Sequence, residues 1–180
     1  NVTFHEVAHG LGIKNTINGK GGVRQALGNQ YSSWEEAKAD ILGLYMVCSL
    51  IDKGEITSIT KEDAVTTFIA GILRSVRFGA ASAHGVANMM CFNFFEDNKA
   101  FTKNQEGIYT IDYANAFKAI NSWAAKILEV EGTGDIEGAK AYSEKNGQIR
   151  PSLQETLDVI NGKNIPKDIR YEQGKKVLGL

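Results

Sequence analysis

The sequence predicts a mainly α fold, a multi-helix lobe with at most one or two short strands. Apolar residues recur at three- and four-residue spacing through most of the chain, and residues that cap helices stand at the heads of those runs. Only Gly107-Ile108-Tyr109-Thr110-Ile111 has the short, β-branched character of a strand. With 180 residues, 43% of them apolar, the chain is long enough to bury one core, so residues 1–180 read as a single domain.

In chain order, the first helix is expected from Thr3, as its cap, to about Leu11, with Gly10 and Gly12 at its exit. Residues 15–33 are rich in Gly and Asn and read as a long loop with one short helical turn, the kind of loop that often carries function. Ser32 or Ser33 is expected to cap the second helix, Ser33 and Glu36 having the spacing of a capping box, and that helix runs to about Ile51. Thr60 with Asp63 caps a third helix through about Phe78, apolar at Val65, Phe68, Ile69, Ile72, Leu73 and Val76, and Gly79 ends it. A fourth spans roughly Ser82 to Phe95. Asp112 caps a fifth to about Val130, Asp135 a sixth ending near Gly147, and Pro151 opens a seventh that stops at Gly162. The basic tail after Pro166 reads as irregular.

Lys plus Arg number 20 against 21 for Asp plus Glu, so the net charge of −1 gives no global attraction to nucleic acid or an anionic membrane. Charged residues interrupt every apolar run before the roughly 18 residues that a membrane-spanning helix needs. Cys48 and Cys91 lie within apolar helical patterns and read as buried free thiols; two thiols make no disulfide framework, which favours a cytoplasmic location. The chain starts at Asn1 and its chemistry begins four residues later, so an upstream portion is expected and an export signal there stays open.

That chemistry is His5-Glu6-Val7-Ala8-His9. Two imidazoles at i and i+4 share one face of a helix and reach a single ion, with Glu6 beside them. By chance such a pattern arises in on the order of one sequence in a hundred of this length. A catalytic zinc needs a third protein ligand and an open position for water. Glu36 is the expected ligand. In Glu35-Glu36-Ala37-Lys38-Ala39-Asp40, Glu36 and Asp40 share a face that continues to the small Gly43, so Asp40, and Glu35 by reaching around, can accept the unused N–H of the histidines. One Zn2+ per chain is thus expected on His5, His9 and Glu36, with Glu6 as the base that takes a proton from the attacking water.

The two motifs together resemble the paired signature of the dipeptidyl peptidase III family. The resemblance implies that Glu36 binds zinc while Glu35 and Asp40 support the histidines, in agreement with the residues' own spacing. It also implies a helical histidine that stabilises the transition state, which falls on His84 of Ala83-His84-Gly85. The implied activity is release of dipeptides from the amino end of oligopeptides, in a cleft completed by an N-terminal lobe of the same protein. The sequence departs from better-known members in spacing its histidines four rather than five apart, which points to a divergent branch. Arg77 and Arg150 are candidates to hold a substrate carboxylate. Two rival readings are a metal-binding but catalytically inactive peptidase-like binding protein, against which the presence of Glu6 argues, and a metal-free helical scaffold.

Overall fold

The computed structural model describes residues 2–168 and 172–179. Its helices are α1 (Val2–Ala8), α2 (Val23–Leu27), α3 (Tyr31–Asp52), α4 (Lys61–Ser75), α5 (Ala83–Asp97), α6 (Tyr113–Thr133), α7 (Ile136–Asn146), α8 (Pro151–Gly162) and α9 (Lys175–Leu178). Strands β1 (Phe101–Lys103) and β2 (Tyr109–Ile111) form an antiparallel hairpin with Phe101 opposite Ile111. The fold class is therefore mainly α. No helix among the described residues is long and apolar enough to cross a membrane.

Helix α3 is the axis of the molecule, touching α1, α4, α5 and α6. Its apolar residues Trp34, Ala37, Ile41, Leu44 and Cys48 follow three- and four-residue steps, and all are buried in one continuous cluster. Trp34 stands at the centre, with the rings of Trp123 and Tyr142 at 6.0 and 5.8 Å and its indole N–H donating to Ser143 Oγ at 3.0 Å. Helix α5 is buried on several sides through Ala87, Met89, Met90, Cys91, Phe92 and Phe95, and α6 presents Ala116, Ile120, Trp123 and Ile127 to the same cluster. Burying side chains of this size contributes about 1.5–3 kcal/mol each, so the core holds α3 and α5 firmly. Cys48 and Cys91 are buried free thiols, as expected.

The local capping chemistry expected at Thr60 with Asp63, at Asp112 and at Asp135 is present, and Pro151 occupies the first turn of α8. Two other expected caps are corrected. Thr3 lies inside α1, which already runs from Val2, and Ser33 lies inside α3, fed directly by a 3₁₀ turn at Gly28–Gln30. A capping residue must be extended; a helical, buried Ser33 instead donates its hydroxyl to Gln30 O at 3.1 Å, and Glu36 is released from any capping box. Strand β1 was not expected, and the tail carries the short helix α9, while its residues 169–171 lie outside the described residues, as does Asn1.

Candidate metal centre

Two elements bring the first motif to the second. Helix α1 lies along α3 at Gly43, where a Cβ would stand 3.0 Å from His5 N and 3.1 Å from Phe4 C, so a glycine is what permits the approach. Helical order in α1 is assigned to Ala8, short of the expected Leu11. His9 still donates its backbone N–H to His5 O at 3.3 Å, after which the chain tightens, Gly10 N to Val7 O and Leu11 N to Ala8 O. The i, i+4 relation of the histidines is thereby kept, and their rings stand edge to face at 4.8 Å.

Each of these histidines is turned by a carboxylate on α3. His5 Nδ1–H donates to Asp40 Oδ1 at 2.8 Å and His9 Nδ1–H to Glu35 Oε1 at 3.0 Å, tautomers assigned from those bonds. With the proton on Nδ1, each Nε2 carries a lone pair, and both aim at Glu36 Oε2, from 3.3 Å for His5 and 3.8 Å for His9. The Asp40 hydrogen bond, helped by the charges of Asp40, Glu36 and Glu6 against burial, raises the basicity of His5. For Glu35, burial opposes ionisation, but donation from Lys38, His9 and Tyr31 outweighs it and holds the carboxyl below its ordinary range.

His84 arrives from the first turn of α5, whose start is capped by Ser82 Oγ accepting from Gly85 N at 3.1 Å. Its side chain is 64% exposed, yet Nε2 comes to 3.1 Å from the same Glu36 oxygen, and its ring stacks over His5 at 6.3 Å. All three histidines of the sequence thus converge on one carboxylate oxygen. None of these approaches has the angles of a hydrogen bond, and Glu36 Oε2, shielded from solvent, has no hydrogen-bond partner. The Nε2 lone pairs of His5 and His9 thus face a desolvated anionic oxygen, which is costly unless a cation lies among them. The His5, His9 and Glu36 donor atoms all lie within 4.8 Å of one another, and two imidazoles with one carboxylate is a donor set suited to zinc.

Glu6 completes the arrangement. Together with Val2, His5, Asp40, Phe68 and His84 it lines a hollow of about 280 Å3 beside the cluster. A hollow of about 570 Å3 beneath the hairpin is larger, but there Lys103 is paired with Glu155 at 3.3 Å, and size alone does not mark the site.

Two solved structures resemble the chain over most of its length. A dipeptidyl peptidase III from Caldithrix abyssi superposes with a TM-score of 0.85 at 30% identity, over 93% of this chain and 32% of that one. A second, dipeptidyl-peptidase III from Corallococcus sp. strain EGB, gives a TM-score of 0.87 at 35% identity, over 94% of this chain and 32% of that one. The chain is dipeptidyl peptidase III-like. No protein-family model matches it. A curated relative, Nudix hydrolase 3 of Arabidopsis thaliana, is 35% identical over 169 residues, spanning 92% of this chain and 22% of that protein, most of which lies outside the match. This dipeptidyl peptidase III-like chain thus spans about a third of the solved structures' length and less of the curated relative's.

Of the residues expected from sequence, the structure brings His5, Glu6, His9, Glu35, Glu36, Asp40 and His84 together. It gives Arg77 and Arg150 other partners. Arg150 forms a two-pronged pair with Asp97 at 2.7 and 2.8 Å and reaches Glu96 at 2.9 Å; Arg77 donates to Asn161 Oδ1, Ile165 O and Pro166 O, tying α8 and the tail to the end of α4. Neither lines the hollow at the cluster. Sequence reasoning missed Lys38, whose i, i+3 spacing from Glu35 was visible but whose burial was not, and Phe68, which looked like a core residue and also walls the hollow.

Proposed function

We propose that the chain is the catalytic segment of a zinc-dependent exopeptidase that releases dipeptides from the amino end of oligopeptides, with one zinc ion held by His5, His9 and Glu36. The observation that carries this reading is the convergence of imidazole Nε2 atoms on the unpartnered Glu36 oxygen, with Nδ1 of His5 and His9 already committed to Asp40 and Glu35. The substrate class is supported by the likeness to two dipeptidyl peptidase III structures.

A zinc ion held by His5, His9 and Glu36 would supply Lewis-acid chemistry, polarising a carbonyl and lowering the pKa of a bound water to about 7. Glu6, on the same hollow as His5 and His84, takes the proton as the water attacks and passes it to the leaving amine, so one carboxylate serves both halves of the reaction. His84, exposed enough to turn from Glu36 toward substrate, donates Nε2–H to the carbonyl oxygen as that atom gains charge. Asp40 and Glu35 keep the two ligand rings in their tautomers while this happens. Residues 1–180 form one segment of a longer two-lobed protein, and the peptide lies between this segment and an N-terminal lobe.

Zinc analysis and kinetics test the proposal. The protein should carry about one zinc per chain, lost in Glu36→Ala; zinc-free wild type, or zinc retained in the variant, removes the site. Full-length protein should hydrolyse dipeptidyl-arylamides. Zinc without turnover would leave a peptidase-like metal-binding protein in place of the enzyme.

A further inference from the structure

Lys38 is a buried cation with no part in the chemistry above. It is 3% exposed, and a lysine is rarely removed from water without compensating partners. Its ammonium donates to the backbone oxygen of Leu11 at 2.8 Å and lies 2.9 and 3.0 Å from the two carboxylate oxygens of Glu35. Glu35 Oε1 is at the same time the acceptor for His9 Nδ1–H. Leu11 lies two residues beyond His9. One ammonium therefore grips both the carboxylate that orients His9 and the backbone that carries it.

Near it stands a second buried carboxyl group. Glu131 of α6 is 1% exposed, and its Oε1 has no hydrogen-bond partner. Lys38 Nζ and Glu131 Oε2 lie 3.7 and 3.8 Å from where a Cβ on Gly12 would stand, a position whose φ of +84° favours glycine. The ammonium thus has carboxyl groups of two different elements in its neighbourhood, and only that of Glu35 pairs with it directly. Asp40, the acceptor of His5, is 25% exposed against 13% for Glu35, and among the described residues no lysine or arginine pairs with it.

We propose that Lys38 is the positioning residue of the metal centre, fixing Glu35 and the Leu11 carbonyl together so that His9 presents Nε2 toward Glu36. This rests on the zinc reading above. Without the ammonium, Glu35 is left as an uncompensated, largely buried carboxylate and turns away, and His9 loses the acceptor that selects its tautomer and angle.

The test uses Lys38→Met, which keeps length and removes charge, and Lys38→Arg, which keeps the charge. Zinc affinity is measured by competition with a chelator, and the imidazole tautomers are read from long-range nitrogen–proton NMR spectra. Lys38→Met should bind zinc about 10- to 100-fold more weakly, with loss of the single Nδ1–H form at His9 and its retention at His5. Lys38→Arg should stay within about threefold of wild type. Should Lys38→Met fail to fold, Lys38→Met with Glu131→Gln replaces the buried, unpartnered Glu131 carboxyl by a neutral amide and should show the same loss of affinity. A folded Lys38→Met or double variant with wild-type affinity and an unchanged His9 signal overturns the proposal, as does an equal loss in Lys38→Arg. Wild-type protein that binds no zinc would instead remove the reading on which the proposal stands.

Discussion

The two halves of α3 put one helix to opposite uses. From Ile41 onward its buried side chains are apolar, Ile41, Leu44, Val47 and Cys48, and meet the packed core. From Tyr31 to Asp40 the same helix also carries Glu35, Glu36, Lys38 and Asp40, which face α1 and each other. The apolar half stabilises by area removed from water. The charged half carries desolvated carboxylates and a buried ammonium, groups that rarely add net stability but aim imidazole nitrogens at one point. Beyond Asp40 the helix serves packing alone, whereas before it the core residues Trp34 and Ala37 alternate with the charged cluster, so substitutions at the two kinds of position should fail in different ways.

The largest separation is expected at Glu6. Glu6→Gln in the full-length protein should lower kcat by about 10²- to 10⁴-fold with zinc content and thermal midpoint unchanged; an unaltered rate removes Glu6 as the base. Leu44→Ala, in the apolar half, should cost about 2–5 kcal/mol in denaturant unfolding while the folded protein still takes up one zinc. If it folds but no longer binds zinc, the two halves are not separable.

A smaller effect sets the site's own surroundings against the core. Burial raises the Glu131 carboxyl to about 7, with Glu35 adding to the effect and Lys38 opposing it. The folded state therefore holds this proton where the unfolded chain has released it, and stability falls as pH rises from the ordinary carboxyl range through about 7. The loss amounts to at most about 3 kcal/mol. Glu131→Gln should flatten that slope in unfolding curves taken from pH 4 to pH 8; an unchanged slope would mean that the carboxyl is not desolvated. Least of all, Gly43→Ala should push α1 outward by contact with Phe4 and His5, weakening zinc binding by about 1 kcal/mol with little change in the core. Crystallography of that variant with α1 undisplaced would contradict the packing described.

Much of this was readable in the sequence because its signals are local. Thr60 with Asp63, Asp112, Asp135 and Pro151 act within three residues of themselves, and the helices they start are present. His5, His9, Glu36 and Asp40 were readable for the same reason, since helical spacing fixes which side chains share a face. What was lost depends on distant partners. Ser33 looks like a cap until the 3₁₀ turn before it is known, and β1 is three residues with no pattern of their own, defined by pairing with Tyr109–Ile111. Arg150 finds Asp97 across 53 residues and Arg77 finds Ile165 across 88, separations at which sequence offers no guide to who meets whom. Nothing in the motif around Lys38 marks it as buried, and it is the backbone at Leu11 and the nearby Glu131, from other parts of the chain, that make it an interior cation.

The seating of α3 also decides where the molecule can give way. Its 22 residues extend about 33 Å through packed side chains, so Glu35, Glu36 and Asp40 are held at fixed positions, whereas His5 and His9 ride on a short outer segment pressed against Gly43. In the zinc reading proposed above, exchange of one divalent ion for another of different radius would be absorbed by residues 2–9 sliding over a stationary helix, and selectivity among metals would depend on how tightly that outer segment is pinned.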